Sequence, residues 1–500
     1  MLKVIIMAAG EGTRMKSNIS KVLHKINNKE IVRYVYDASK IKDSKTIIIS
    51  GKNTKQIQEM FDNDIVIEQK IGEEYPYGTG YAVSLATDYI EDEDDVLVLN
   101  GDIPLINSES LESFVKSHKE SDSGVSVLST KVSDPSGYGR IIRSSDGEFL
   151  KITEHRDLSD DEFDIDEINT GIYIFKGIDL KESLKKIKAD NDQNELYLTD
   201  CISIISNAGK KASAFVNADP SLFYGINNKK ELSDASRIIR KRINEKFMLD
   251  GVIIETPDIV TIDPNAKIGS DTLLSGNIKI LGNTVIGSNC VIEGSTRIEN
   301  SIIHDNVKID NSVIEDSIME ESSDIGPFSH LRPKAKLGRN VHIGNFVEVK
   351  NASLGDGTKA GHLAYIGDAD LGKNINIGCG VIFVNYDGKF KHRSTVGDDA
   401  FIGSNSNIVA PVNIADEGYV AAGSTITKDV SEGELSIERA EQKNIAGYVE
   451  KKKKRDEEKI KEKKWHLTVM GAHTSKEENW NYFQVIQIKR WLKVLQNILV

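Results

Sequence analysis

Aliphatic residues recur every six positions through the second half of the chain. One unbroken run comprises Ile262, Ile268, Leu274, Ile280, Ile286, Ile292 and Ile298. The pattern resumes at Val307, Val313, Met319, Ile325, Leu331, Leu337, Ile343 and Val349 and, after a slip of about one residue, continues at Ile366, Leu371, Ile377, Val396, Ile402, Ile408, Ile414, Val420 and Ile426. A fixed short period of this kind predicts a parallel β-helix, in which three hexads close one coil.

Each hexad is interpreted as one short strand and a corner, with one aliphatic side chain pointing into a narrow prism. A single coil cannot bury its apolar face alone, so the coils must stack. The alternative is a β-sandwich, but sandwich strands alternate with period two and vary in spacing. The long constant period therefore favours the β-helix.

The first half has a different pattern, in which short apolar runs alternate with helix-like segments. Residues 4–7 and 96–99 are continuous apolar runs typical of buried parallel strands, and residues 46–49 are expected to form another strand, so an α/β domain is expected. Between residues 231 and 247, apolar residues follow helical spacing and predict a connecting helix. The expected domains are 1–228, the linker helix 229–250, the β-helix 251–450 and a tail, 451–500.

Charge and composition exclude several classes of protein. The net charge of −13 argues against a general nucleic-acid binder, which needs a basic face. The three cysteines show no paired spacing, which indicates a reducing compartment without structural disulfides. No run approaches transmembrane length, and residues 1–10 are interpreted as a first strand and not as a signal peptide. A cytoplasmic protein without membrane contact is expected.

A glycine-rich loop follows the first strand, with the sequence Ala8-Ala9-Gly10-Glu11-Gly12-Thr13-Arg14-Met15. Small residues let backbone N–H groups approach a phosphate, and Arg14 and the nearby Lys21 add positive charge. The run at residues 96–99 ends in Asn100-Gly101-Asp102. A carboxylate at the carboxyl end of a parallel strand lies where α/β sheets bind ligands, and Asp102 suits Mg²⁺.

These motifs together resemble those of the sugar nucleotidyltransferases. The resemblance implies that Arg14 and Lys21 neutralise triphosphate charge and that Asp102 and Asn227 bind the metal ion. It further implies a nucleotide site that contains Ala8, Ala9, Gly10, Gly12, Gln69, Gly78, Thr79, Asn100 and Gly101, and a sugar site that contains Gly139, Glu154 and Asn169. Two departures stand out: Ser20 replaces the usual proline before the lysine, and Gln69 lies farther upstream of Gly78 than the family pattern expects.

Histidines in the second half distinguish two kinds of β-helix enzyme. Such solenoids usually transfer an acyl group from a coenzyme A thioester or hold a metal ion between three histidines. Here the histidines lie in distinct strings, among them residues 330–333 and 359–368, accompanied by the strings at 345–350 and 385–388. These strings closely resemble the bifunctional N-acetylglucosamine-1-phosphate uridylyltransferase and glucosamine-1-phosphate N-acetyltransferase family, over roughly residues 1–450.

This second resemblance implies the roles of individual residues in the β-helix. His362 would be the general base, Arg332 and Lys350 would bind the sugar phosphate, and Tyr365 and Asn376 would hold the sugar. The acetyl-CoA groove would contain Cys379, Asn385, Tyr386, Ser404, Ala422 and Arg439. The family usually has alanine at the position of Cys379, which is compatible with a role for its backbone alone. Residues 385–394 are out of step with the repeat and are expected to form a protruding loop.

The implied reaction sequence makes UDP-N-acetylglucosamine for cell-envelope glycans. Acetyl-CoA would acetylate glucosamine 1-phosphate, and the resulting N-acetylglucosamine 1-phosphate would react with UTP in the presence of Mg²⁺. Solenoid acetyltransferases of this class are homotrimers, so a homotrimer is expected. The alternatives are a single-activity nucleotidyltransferase whose β-helix is structural and, less favoured, a non-enzymatic scaffold.

The tail changes character after Trp465. Residues 451–464 are almost all charged and are expected to be a solvated helix or disordered. The later residues are rich in aromatic and aliphatic side chains, which would suit a partner-binding or membrane-surface helix, or an extension without a selected role. The last interpretation is favoured.

Overall fold

The computed structural model describes residues 1–10, 12–72, 74–189 and 195–472. Residues 1–438 form one compact unit, and residues 439–500 belong to a second. Within the first unit, an α/β domain is followed by a long helix and then by a left-handed parallel β-helix. The predicted fold class is thereby confirmed.

The α/β domain is built on a mostly parallel sheet. The strands of the domain are β1 (Leu2–Ala8), β2 (Lys25–Ile26), β3 (Lys29–Glu30), β4 (Ser44–Ser50), β5 (Ile65–Glu68), β6 (Asp95–Asn100), β7 (Val125–Lys131), β8 (Arg140–Arg143), β9 (Phe149–Thr153), β10 (Glu167–Lys176) and β11 (Ala212–Asn217). Strands β2 and β3 form a separate two-stranded sheet. The main order is β11-β7-β10-β6-β1-β4-β5. Strand β10 is antiparallel to both β6 and β7, whereas β1 is parallel to β4 and β6.

Helices cover both faces of this sheet, which explains the continuous apolar runs in its central strands. The helices are α1 (Ile31–Ala38), α2 (Thr54–Met60), α3 (Thr79–Ser84), α4 (Ser108–Ser121), α5 (Gly177–Leu184), α6 (Thr199–Asn207) and α7 (Lys229–Leu249). Ile6 and Leu97 lie in the core on one face, whereas Ile5 and Val96 lie in the core on the other. All four side chains are fully buried.

Helix α7 connects the two domains and contacts both. The Asn228 side chain caps its first turn by accepting from the N–H groups of Lys230 and Glu231, each at 3.0 Å. Ile239 packs into a core of the α/β domain. The fully buried Asn244 donates from its amide to the carbonyl oxygens of Pro257 (2.7 Å) and Val260 (3.0 Å) at the start of the β-helix. The two domains are therefore joined through a packed helix.

The β-helix is a stack of short parallel strands on three faces. Its strands are β12 (Ile253–Ile254), β13 (Thr261–Ile262), β14 (Lys267–Ile268), β15 (Leu273–Leu281), β16 (Val285–Ile286), β17 (Val291–Glu299), β18 (Ile302–Ile303), β19 (Lys308–Asp310), β20 (Val313–Glu315), β21 (Ile318–Met319), β22 (Asp324–Ile325), β23 (His330–Leu331), β24 (Lys336–Leu337), β25 (His342–Asn345), β26 (Glu348–Lys350), β27 (Ser353–Leu354), β28 (Lys359–His362), β29 (Tyr365–Gly367), β30 (Ala369–Leu371), β31 (Asn376–Ile377), β32 (Ile382–Val384), β33 (Ser394–Val396), β34 (Phe401–Ile402), β35 (Asn407–Val409), β36 (Asn413–Ile414), β37 (Tyr419–Val420), β38 (Thr425–Ile426) and β39 (Leu435–Ser436). The inward aliphatic side chains form one continuous core along the prism.

The six-residue period predicts that the Val313 side chain points into the prism, and this prediction is wrong. Strand β20 pairs with β17 so that Val313 lies opposite Arg297 and Ile314 lies opposite Ile298. Ile314 is fully buried, and Val313 points outward. Ile314 precedes the inward Met319 by five residues, one fewer than the period. Because successive residues of a strand point to opposite faces, a step that is one residue shorter changes which of two adjacent side chains is inside.

The second unit contains helix α8 (Tyr448–Ala472), which includes the charged run of the tail and is exposed as far as residue 467. The later tail, from residue 473, lies outside the described residues. Among the helices that the structure describes, none combines the length and the apolar character required to cross a bilayer.

Candidate active sites

The glycine-rich loop of the α/β domain turns sharply between β1 and Lys21. Gly12 adopts the left-handed conformation (φ 62°), and a Cβ on Gly12 would lie 2.8 Å from the Cβ of Lys21. Only glycine lets the two segments approach so closely. Ser20, where the resembling family has proline, donates its backbone N–H to Asn53 Oδ1 (3.3 Å), a bond that proline cannot make.

Four predicted residues meet beyond this loop. Lys21 Nζ lies 2.5 Å from Asp102 Oδ2 and 3.3 Å from Asn227 Oδ1. Arg14 Nη2 lies 2.9 Å from the same Asn227 oxygen. Lys21 and Asp102 are mostly buried, with 13% and 21% of their side chains exposed. The sequence separates these residues by up to 213 positions, and the fold brings them into one cluster.

Backbone contacts set the positions of the two oxygen-bearing residues. The Gly101 N–H donates to Met7 C=O (2.9 Å), and the Ile226 N–H donates to Asp102 C=O (3.0 Å). Glu231, in the first turn of α7, accepts from the Asn227 N–H (2.6 Å). The linker helix therefore helps to fix Asn227, one of the residues predicted for the nucleotide site.

The same two oxygens fit the predicted divalent metal ion. Asp102 Oδ2 and Asn227 Oδ1 both converge on the Lys21 ammonium, which shows that they can surround a single cation. Oxygen ligands of this kind suit Mg²⁺, which typically takes one or two protein ligands and completes its shell with phosphate oxygens and water. No group of three or more His, Cys, Asp or Glu side chains suited to a metal occurs in the described part of the chain.

Two adjoining cavities extend from this cluster. The smaller, of about 260 Å³, is lined by predicted nucleotide-site residues: Ala9, Gly10, Lys21, Gln69, Gly78, Thr79, Asn100 and Asp102. Gln69, whose distance along the chain departs from the family pattern, thus lies on the same cavity wall as Gly78 and Thr79. The larger, of about 590 Å³, shares Thr79 and Asn100 and adds Glu154 and Asn169.

Predicted sugar-site residues line the larger cavity or support it. The Asn169 N–H donates to Gly139 C=O (2.8 Å), and the Asn169 amide donates to the buried Tyr173 hydroxyl (2.8 Å). Partial burial in the cleft, and then the charges of Asp157 and Asp200, raise the pKa of Glu154.

Several residues that line the larger cavity were missed as site candidates. They are His155, Arg156, Asp157, Tyr173, Tyr197 and Thr199. Tyr197 and Thr199 lie in the segment that leads into α6. His155, Arg156 and Asp157 directly follow the predicted Glu154, and that adjacency was the available signal.

In the β-helix, several predicted residues stack along one corner of the prism. His362 lies opposite Asn345 of the preceding coil, and the Gly380 N–H donates to Leu363 C=O (2.8 Å) of the His362 coil. Backbone hydrogen bonds of the same kind join the next coils at this corner. The residues aligned on the corner are Asn345, His362, Cys379, Ser404 and Ala422. The predicted base and three predicted acetyl-CoA residues are therefore neighbours.

Asn345, which the sequence reasoning missed, contacts the imidazole directly. Its Oδ1 lies 2.8 Å from His362 Nδ1. Because an amide oxygen only accepts, Nδ1 carries the proton and Nε2 is left as the basic nitrogen. The exposed imidazole is thus oriented for proton transfer at Nε2.

The adjoining face carries a cluster of positive charge. Arg332 Nη1 lies 2.6 Å from Glu348 Oε1, and this pairing raises the pKa of Arg332. Lys350 is within hydrogen-bonding reach of Lys391, and the charges of Lys391 and Arg332 lower the pKa of Lys350. Lys391 is a third cation that the sequence reasoning missed, although it lies in the predicted protruding loop.

The other residues predicted for the acetyl-transfer site do not all lie in one place. The buried Asn385 donates to Asp368 Oδ2 and to the Tyr365 hydroxyl (3.4 Å), and Tyr386 is exposed on the loop. Asn376 pairs with Lys359 on another face of the prism, away from the strand stack that carries Lys350 and Tyr365. Arg439 is the first residue of the second unit.

Comparisons with protein families agree with both domains. A family model described as nucleotidyl transferase matches residues 3–222, and one described as GMPPB C-terminal domain matches residues 256–333. Among solved structures, a protein described as a glucose-1-phosphate thymidylyltransferase from Bacillus anthracis covers 48% of this chain at 18% identity, with a TM-score of 0.38. That likeness is too weak to carry an argument.

Curated relatives cover almost the whole chain. A protein named bifunctional protein GlmU from Clostridioides difficile is 48% identical over 91% of this chain and 99% of its own length. Proteins of the same name from Lactobacillus delbrueckii subsp. bulgaricus and Alkaliphilus oremlandii are each 45% identical, over 89% and 90% of this chain and 96% and 98% of their own lengths. At this identity and coverage, the chain belongs to the family of bifunctional GlmU proteins.

Proposed function

We propose that this bifunctional enzyme of UDP-N-acetylglucosamine synthesis divides its two reactions between its two domains. The β-helix transfers acetyl from acetyl-CoA to glucosamine 1-phosphate. The α/β domain then transfers uridylyl from UTP to N-acetylglucosamine 1-phosphate and releases pyrophosphate. The observation that carries the proposal is the presence of two separate site clusters, one around Lys21 and one around His362.

In the α/β domain, the phosphate oxygen of N-acetylglucosamine 1-phosphate attacks the α-phosphorus of UTP, and pyrophosphate leaves. The glycine-rich loop, Arg14 and Lys21 hold the triphosphate and stabilise the charge that develops on it. Asp102 and Asn227 would hold Mg²⁺, which supplies further charge neutralisation at the phosphates. Lys21 would then move from Asp102 toward the phosphates. Asn169 and Glu154 would position the sugar.

In the β-helix, the amine of glucosamine 1-phosphate attacks the thioester carbon of acetyl-CoA, and the coenzyme A thiolate leaves. His362 Nε2 takes the proton from the attacking nitrogen. Arg332 and Lys350 bind the sugar phosphate, and Tyr365 contacts the sugar. A backbone N–H near Cys379 stabilises the tetrahedral oxyanion, while Asn385, Tyr386, Ser404 and Ala422 line the acetyl-CoA groove.

The placement of Asn376 supports a homotrimer. In one chain this residue lies on a different face from Lys350 and Tyr365. If acetyl-transfer sites form between neighbouring prisms, Asn376 of one copy would face the sugar held by another. A cytoplasmic location fits the free cysteines and the water-soluble substrates.

Reciprocal variants test this division of labour. His362→Ala should lower acetyl transfer by about 10²- to 10⁴-fold, the usual contribution of a general base, and leave uridylyl transfer unchanged. Lys21→Ala should lower uridylyl transfer and leave acetyl transfer unchanged. Both reactions are measured on each full-length variant, by coenzyme A release and by pyrophosphate release. Loss of both activities in either variant, or acetyl transfer that survives in His362→Ala, would refute the proposal.

A further inference from the structure

The loop between β32 and β33 is an insertion in one coil of the β-helix. Backbone and side-chain bonds between neighbouring coils usually join residues 17 or 18 apart, as in Ser353–Asp370 and Thr395–Asn413. Across the insertion the corresponding bond, from Lys373 to Asp398, joins residues 25 apart. The extra residues form a protruding hairpin, in which Tyr386 and Lys391 make an antiparallel bridge.

A hydrogen-bonded side chain organises the interior of the hairpin. Asp387 Oδ1 accepts from the N–H groups of Lys389 (2.8 Å) and Phe390 (2.7 Å). Its Oδ2 lies 2.8 Å from His392 Nε2. The His392 N–H donates to Asn385 C=O (2.9 Å). The hairpin therefore has a defined shape.

Arg393 anchors the end of the hairpin to the prism. Its guanidinium makes two bonds to the Asp370 carboxylate, one of them from Nε at 2.5 Å. It also donates to the carbonyl oxygens of Asn351 (2.8 Å) and Ala369 (3.1 Å). Asp370 is held in turn by the Ser353 hydroxyl (2.6 Å). A bidentate pair with two further bonds fixes geometry in a way that a single ion pair does not.

The anchor has to hold the hairpin against a repulsive force. The hairpin places the Lys391 ammonium beside Lys350, which also lies close enough to Arg332 to be affected by its charge, and like charges at this spacing repel in the absence of an anion. Without an anchor, the hairpin would move Lys391 away from the other two cations. A site that keeps three cations together before substrate arrives is preorganised for a doubly charged phosphate.

We propose that Arg393 is a positioning residue for acetyl transfer, which acts through its clamp on Asp370 to hold Lys391 where the sugar phosphate binds. The inference rests on the proposed acetyl-transfer function. Arg393 itself contacts the prism and contributes to the reaction by fixing the place of Lys391. Removing the clamp should weaken phosphate binding more than it slows the chemical step.

The test compares Arg393→Ala, Arg393→Lys, Lys391→Ala and the double variant Lys391→Ala/Arg393→Ala in the full chain. Arg393→Ala should raise KM for glucosamine 1-phosphate about tenfold with a smaller change in kcat, and weaken competitive inhibition by inorganic phosphate by a similar factor. Arg393→Lys should recover only part of the loss, because lysine cannot form the bidentate pair. In the Lys391→Ala background, Arg393→Ala should add less than about twofold.

Arg339→Ala is the matched control. Arg339 also pairs with an aspartate of a neighbouring coil, Asp356 at 3.1 Å, but this pair lies outside both proposed sites. It should leave acetyl transfer unchanged, and uridylyl transfer should be normal in every variant. An unchanged KM in Arg393→Ala would overturn the inference. So would an equal effect of Arg393→Ala on KM in the wild-type protein and in the Lys391→Ala variant. Wild-type protein that does not acetylate glucosamine 1-phosphate would instead refute the proposed function.

Discussion

One hydrogen bond sets the tautomer of the imidazole that is proposed as the base for acetyl transfer. The acceptor oxygen of Asn345 lies 2.8 Å from His362 Nδ1, so the proton resides there and Nε2 keeps its lone pair. A histidine on a solenoid corner without such a partner would sample both tautomers and several orientations. Asn345 therefore fixes the tautomer and the orientation of the His362 imidazole.

At this scale we expect Asn345→Ala to lower kcat for acetyl transfer by about ten- to a hundredfold, because the imidazole loses its fixed tautomer. Asn345→Asp should retain most of the activity, since a carboxylate also accepts from Nδ1–H. Coenzyme A release measures the effect, and uridylyl transfer in the same samples reports on folding. Wild-type kcat in Asn345→Ala would show that the contact has no role in the reaction.

The elements of the α/β sheet are joined by charges as well as by apolar contacts. Asp95 opens β6 and meets Lys176 of β10 (2.8 Å) and the fully buried His118 of α4 (3.5 Å). Burial alone raises the pKa of Asp95, but its interactions with His118 and Lys176 outweigh that effect and hold the pKa at about 2. One carboxylate thus ties two strands and a helix together.

This low pKa predicts acid-dependent stability. An unfolded aspartate has a pKa near 3.9, so between about pH 4 and pH 2 the unfolded chain binds the proton more tightly than the folded chain does. The free energy of unfolding therefore decreases as the pH is lowered through this range. Asp95→Asn should be less stable than wild type above pH 4, by on the order of 2 kcal/mol, and the difference should shrink toward pH 2. Urea unfolding at several pH values measures it. The exposed pair of Glu59 and Lys55 supplies the control, because Glu59→Gln should show almost no such dependence.

On the scale of the whole molecule, two chemistries with different requirements share one chain. The β-helix core runs the length of the prism, and the α/β domain has its own cores on both faces of its sheet. Helix α7 packs against both domains and also supports Asn227. A change within one domain can therefore affect its own site and leave the site of the other domain unaffected, as long as α7 is intact.

Metal removal should separate the two activities. Chelation with EDTA should abolish uridylyl transfer, because phosphoryl-type transfer needs neutralisation of the phosphate charge, and added Mg²⁺ should restore it. Acetyl transfer should persist, since its proposed base, His362, and its proposed phosphate-binding residues, Arg332 and Lys350, need no metal ion. Asp102→Asn should raise the Mg²⁺ concentration needed for half-maximal uridylyl transfer by about tenfold. Parallel loss of acetyl transfer on chelation would contradict this assignment.

The order of amino acids alone specified the architecture, because its signals are local. A six-residue aliphatic period requires a stacked coil, and apolar runs alternating with helical segments require an α/β sheet. The glycine-rich loop, Asp102 and the strings around His362 carry their chemistry in a few consecutive residues. For that reason the fold class and most of the residues at both candidate sites could be predicted without coordinates.

Only the tertiary structure decided the contacts between distant residues. The inward choice of Ile314 over Val313 follows from the pairing of two coils, which a six-residue count does not specify. The partnership of Asn345 with His362 and the approach of Lys391 to Lys350 join residues on different coils. Such contacts depend on hydrogen-bond register and on the path of an inserted loop. Both are set when the whole chain closes around its core, and short-range sequence patterns do not record them.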